Sequence, residues 1–157
     1  MPLIVGNLLT DTAANSFISL DDAEAYFAEE AALVSDTSEL GRWLLLDDDQ
    51  KEASLIVASR WMAASLPWGR AGIAEAQLPQ VGYVAARLAV QAAQGGLWAS
   101  EAIGKTARRY KAGSVEVEYA DAGTIRGAKA GGKLFPWVYP MLRGLLGGAG
   151  QHDVVRR

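Results

Sequence analysis

Apolar residues recur every three to four positions along four stretches of this chain and alternate with polar ones along a fifth. Leu20, Ala23, Phe27 and Ala31 share one helix face. Ser19 suits the N-cap, where its hydroxyl accepts from the Asp22 N–H, and Asp21, Asp22 and Glu24 suit the positive end of the helix dipole. Ahead of the cap, Phe17 and Ile18 read as a short extended piece packed on the core. "SELGRWLLL" is interrupted by Gly41 and reads as a short helix or single helical turn. Asp47 and Gln50 make a capping-box start to a stronger helix that ends before Pro67, with Leu55, Ile56, Ser59, Met62, Ala63 and Leu66 on its buried side. The segment 67–78, "PWGRAGIAEAQL", is a loop with two short turns. Pro79 then stands at the first position of a helix whose stripe is Val81, Val84, Ala85, Leu88, Ala89 and Ala92. Gln80, Arg87, Gln91 and Gln94 read as its solvent face, and Gly95-Gly96 ends it.

From residue 95 onward the texture changes, because 12 of the 17 glycines lie there. "GSVEVEYAD" places Val115, Val117 and Tyr119 on one face of a strand and Ser114, Glu116 and Glu118 on the other. With a turn at Ala112-Gly113 this predicts a β-hairpin over about 104–121. "AGTIRGAKAGGK" is too glycine-rich to fix one conformation. A C-terminal helix over about 138–147, with Pro140 at its start, presents Met141, Leu142, Leu145 and Leu146; the prolines hold "FPWVY" extended before it. The fold class expected is mainly α: a small helical bundle with a β-hairpin and an extended glycine-rich C-terminal segment. It forms one domain over 1–147, its helical core at about 15–96, followed by a flexible tail at 148–157.

Composition narrows the chemistry. With 157 residues, half of them apolar, one domain can bury a core. There is no cysteine, and the single histidine is His152, which leaves little for thiolate, metal or triad chemistry. No apolar run reaches membrane-span length, and "MPLIV" lacks the flank of a signal peptide. Asp47-Asp48-Asp49 lacks the spacing of a cation loop. Glu116 and Glu118 have no acid/base partner, so the expectation is no enzyme, no cofactor and no metal. Residues 1–60 hold 12 Asp and Glu against 3 Lys and Arg, while 61–157 hold 6 against 12. That split fits either two solvated faces or a head-to-tail contact between copies, which closes into a ring if the rotation allows.

Taken in order, "NSFISLDDAEAYFA", "KEASLIVASRWM", "LPQVGYVAARLAVQAA", "GSVEVEYAD" and "YPMLRGLL" resemble the head-tail adaptor (connector, or head-completion) proteins of tailed bacteriophages over about residues 13–147. The resemblance implies a non-catalytic virion protein at the head-tail interface, made in the host bacterial cytoplasm. Its copies, commonly twelve, would form a homo-oligomeric ring docked on the portal protein. The ring would meet a tail or stopper protein and let DNA pass without sequence-specific binding. Relatives are also labelled DnaT-like single-stranded-DNA-binding proteins, which supplies the alternative function.

Two residue sets carry these readings. Contact with portal or neighbouring subunit is assigned to Leu134, Phe135, Trp137, Tyr139, Met141, Leu142, Leu145, Leu146, Val154, Val155, Arg156 and Arg157, an apolar and aromatic ending with guanidinium groups that can fork onto carboxylates. Subunit or nucleic-acid contact is assigned to Lys105, Arg108, Arg109, Tyr110 and Lys111, where cations neutralise phosphates and a ring stacks bases. Trp43 and Trp61 are expected in the core. Trp68, Trp98 and Trp137 are the tryptophans placed for subunit contacts, with core burial as the alternative for each.

Overall fold

The computed structural model describes residues 2–97 and 135–147, and the backbone alone at 109–112 and 115–118. The architecture is mainly α. Helices α1 (Leu20–Ala31), α2 (Glu39–Leu44), α3 (Asp48–Ser65), α4 (Leu78–Ala92) and the short α5 (Val138–Met141) form the body, with a 3₁₀ turn at Glu75–Gln77 leading into α4.

The entry to α1 is built by Asn15. Its Oδ1 accepts from the Ile4 N–H at 2.7 Å and its Nδ2 donates to the Pro2 carbonyl at 2.9 Å. Ile4 O accepts from Ser16 N–H, and Gly6 N–H donates back to Ser16 O, so Val5 and Ser16 form an isolated parallel bridge. The Phe17 N–H then donates to Ser59 Oγ on α3 at 3.1 Å, which threads Phe17 and Ile18 into the core before Ser19 caps α1. These polar groups are buried but satisfied, as a low-dielectric interior demands.

Helices α3 and α4 make the most extensive pair, α1 and α2 pack on α4, and α5 closes against it. Val81, Val84, Ala85, Ala86, Leu88 and Ala89 of α4 are fully buried, and Gly82 is buried too. The stripe read from the sequence is therefore too narrow: α4 is buried around most of its circumference, the state of a central helix. A Cβ on Gly82 would stand 3.1 Å from the Ile18 Cβ and 3.2 Å from the Phe17 carbonyl oxygen, so α4 and the entry segment lie in close approach. Ala63 and Ala92, expected in the core, are half-buried, while Lys51, Ser54, Ala58 and Trp61 add to the buried side of α3.

Both caps read from the sequence are present. Asp47 and Gln50 exchange hydrogen bonds in a capping box, and Ser19 accepts from Asp22 N–H. Gly41 does not interrupt α2. It is a contact point, since a Cβ there would stand 2.1 Å from the Ser35 carbonyl oxygen. Around the C-terminal segment the expectation needs correction. Residues 135–138 are turned rather than extended, with Val138 N–H donating to Phe135 O. Pro136 presets the turn at its second position. The helix spans only Val138–Met141 of the expected 138–147, with Pro140 inside its first turn, where a proline forfeits only an N–H that has no helical acceptor.

Strands β1 (Arg109–Ala112) and β2 (Val115–Glu118) pair antiparallel with Arg109 opposite Glu118. No strand belongs to the helical body among its described residues. The rest of the glycine-rich stretch and the tail lie outside the described residues.

Candidate interaction surfaces

Two charged ties fasten the helices across the surface. Arg87 on α4 donates through Nε to the Tyr26 hydroxyl at 2.6 Å and through Nη2 to Glu30 at 2.7 Å, while its guanidinium lies 5.3 Å from the Tyr26 ring centre. Burial alone would favour the neutral guanidine, but the hydrogen bonds that Arg87 donates to Tyr26 and Glu30 outweigh it and hold Arg87 above its ordinary pKa. Lys51 on α3 pairs with Glu24 on α1 at 2.7 Å and passes over the Trp43 ring, whose Nε1 donates to Ser54 Oγ at 2.9 Å. The solvent face read for α4 is thus partly a set of ties. Gln91 donates to Glu39 and Gln80 to the Met141 carbonyl, so only Gln94 makes no bond to another element.

Two surface clefts flank α1 and α4. One, of about 560 Å³, lies among Phe27, Val34, Leu40, Val90, Trp137 and Met141, with Glu30, Glu39 and Arg87 on its polar side. The other, of about 530 Å³, has Phe17, Ile18, Leu78 and Pro79 along its apolar lining, Val5 and Gly6 on one margin, and Tyr26 and Tyr83 stacked at 4.6 Å. Among the described residues, Asp22 and Glu75 are the charged ones of this second cleft, and no cation lines it. No sequence pattern marks it, and Val5, which lines it, is 48 % exposed.

The two predicted sets fare differently. Phe135, Leu142 and Leu145 are buried in the protein's own core, with Val138 beside them. Phe135 packs edge-on against Trp61 at 5.8 Å. These side chains are spent on the fold and not displayed to a partner. Trp137 and Met141 are half-buried and line the first cleft, Leu146 is half-buried, and Tyr139 is 37 % exposed. Leu134, Val154, Val155, Arg156 and Arg157 lie outside the described residues. Of the basic set, Arg109, Tyr110 and Lys111 fall on the β1 backbone, while Lys105 and Arg108 lie outside. Trp43 and Trp61 are in the core as expected. Trp68 serves the body as well, donating its Nε1 to Met62 O at 3.1 Å and packing 6.1 Å from Phe17; Trp98 lies outside the described residues. Among the described residues, no group of three or more His, Asp or Glu is placed to hold a metal, and no helix is long and apolar enough to cross a membrane.

Charge separates the described body from the rest. Residues 2–97 and 135–147 hold 13 Asp and Glu against 6 Lys and Arg, whereas 9 of the 15 Lys and Arg lie elsewhere in the chain. No curated protein and no solved structure matches the chain. A family model does, over residues 1–157, and its description is "putative DnaT-like ssDNA binding protein". With that match running the length of the sequence, the chain belongs to this DnaT-like family.

Proposed function

We propose that the protein is a non-catalytic assembly part, a head-tail adaptor whose copies form a dodecameric ring on a portal and join a capsid to a tail. The observation that carries this reading is the sign of the helical body. Thirteen acids face six bases there, and Lys51 and Arg87 are already engaged with Glu24 and Glu30. Such a surface repels phosphate, which suits a part that DNA passes without being held. The ordered set of sequence phrases supports the same reading. Mass measurement on the purified chain, alone and mixed with a portal ring, tests it. A discrete ring-sized species in either sample is the expected result; a monomer in both overturns the reading.

The family description favours a second reading, single-stranded-DNA binding. On charge grounds that activity would reside outside the helical body, on Lys105, Arg108, Arg109, Tyr110 and Lys111. Oligothymidine anisotropy at two salt concentrations separates the two. We expect weak binding that salt abolishes. Sub-micromolar affinity at physiological salt, lost on combining Arg108→Glu, Arg109→Glu and Tyr110→Ala, would give the function to DNA binding.

A further inference from the structure

The second cleft has an open backbone edge as well as an apolar lining. In the parallel bridge between Val5 and Ser16, the groups used on the N-terminal side are Ile4 O and Gly6 N–H. The N–H and C=O of Val5 itself consequently point to the opposite edge, and neither makes a hydrogen bond to any described residue. An extended backbone that presents an unpaired N–H and C=O is a template for one more strand. Val5 and Gly6 also line the cleft, so a strand added at this edge runs along it. Its inward side chains would meet Phe17, Ile18, Leu78 and Pro79. Charge decides what else the strand carries. Among the described residues Asp22 and Glu75 line the cleft and no Lys or Arg does, while Tyr83, stacked on Tyr26 and 39 % exposed, offers a ring face to a guanidinium.

We propose that this cleft docks an extended segment of another protein by strand addition at Val5, and that the segment alternates apolar residues with arginine or lysine. The inference goes beyond the adaptor reading, since it concerns the described body and not the ring. A random peptide display library panned on the immobilised full-length chain is the probe. Enriched peptides should carry β-branched residues alternating with Arg or Lys, and their synthetic forms should move the Val5 amide resonance. Val5→Pro removes the free N–H and should weaken them about ten-fold, in line with the loss of a backbone hydrogen bond in a sheltered site. Glu75→Lys, at an exposed position whose carboxylate is tied to no described residue, should weaken them comparably without altering the melting temperature, which keeps the test sound if Val5→Pro disturbs folding. No enrichment, acidic peptides, or binding indifferent to both substitutions would overturn the proposal. A fall in the assembly mass of the chain itself on Glu75→Lys would assign the cleft to a second copy and overturn it too, whereas loss of peptide binding with an unchanged ring mass separates this inference from the adaptor reading.

Discussion

Gly41 sits where α2 meets the backbone that precedes it. As a residue inside an apolar run it reads as a helix breaker, because glycine is a poor helix former. In the fold it is the place where the backbone of Ser35 and Asp36 crosses α2, with no room for a methyl group. Gly41→Ala should therefore destabilise by about 2–3 kcal/mol, as overpacking does, despite the gain in helix propensity. Urea unfolding measures this, and a stabilised variant would refute the close approach. Lys51 gives a paired test. It is 7 % exposed, while Glu24 keeps access to water, so Glu24→Gln leaves a sheltered ammonium without its counter-charge. Lys51→Met removes that charge and keeps the alkyl packing over Trp43. The first should cost about 1–3 kcal/mol and the second less than about 1 kcal/mol. Arg87 behaves otherwise, because its ion pair is more than a third exposed; Arg87→Met should cost no more than about 1 kcal/mol. Its raised pKa means that whatever it contributes is present below the unfolded value and lost only as pH climbs through the folded one, so unfolding between pH 6 and 9 should show no step from this group.

At the scale of elements, the caps were legible because they are local: Ser19 with Asp22, and Asp47 with Gln50, are decided within four residues. The face of α4 was legible for the same reason, as periodicity depends on one helix alone. Which further sides of α4 are covered was not, because that depends on Phe17 and Ile18 arriving from far away in the sequence. The C-terminal element was misread through its prolines. Pro136 does stiffen the chain, but into a turn that delivers Phe135 to Trp61 and Val138 to the core. Two consequences are measurable. Leu142→Ala should cost about 2–5 kcal/mol, the range for a fully buried leucine, read from thermal or chemical unfolding. Removing residues 134–157 strips Phe135, Val138, Leu142 and Leu145 from the core together, each with about 1.5–3 kcal/mol of burial. Set against a typical stability of about 5–15 kcal/mol, the truncated chain should lose its cooperative melting transition by circular dichroism. A folded truncation would return this segment to the role of docking arm.

For the whole molecule, the mainly helical class was legible in the periodicity of the apolar positions. The cleft at Val5 was not legible, because its walls come from the bridged N-terminal segment, α1, the 3₁₀ turn and α4 and share no sequence pattern. The family description and the charge of the body pull toward different functions, and salt distinguishes them. Contacts between acidic and basic faces of neighbouring copies are screened over about 8–10 Å near physiological ionic strength. On the proposed adaptor reading, ring assembly should weaken as salt rises, and further on combining Arg108→Glu with Arg109→Glu; sedimentation at two salt concentrations checks both. Assembly insensitive to salt and charge reversal would point to an apolar interface.

The small backbone pairing at the far end of the described chain has a mechanical meaning. Gly69 N–H donates to Leu145 O at 2.9 Å and Gly147 N–H to Pro67 O at 2.6 Å, with Trp68 opposite Leu146. Residues 145–147 are thereby moored to the start of the α3–α4 connection. A pull applied past that point meets these two bonds before it can unwind α5, and it is handed to the two helices that share the largest packed surface. Tension reaching the protein from its C-terminal side would be borne by the most deeply buried part of the molecule, with the clasp as the link that yields first.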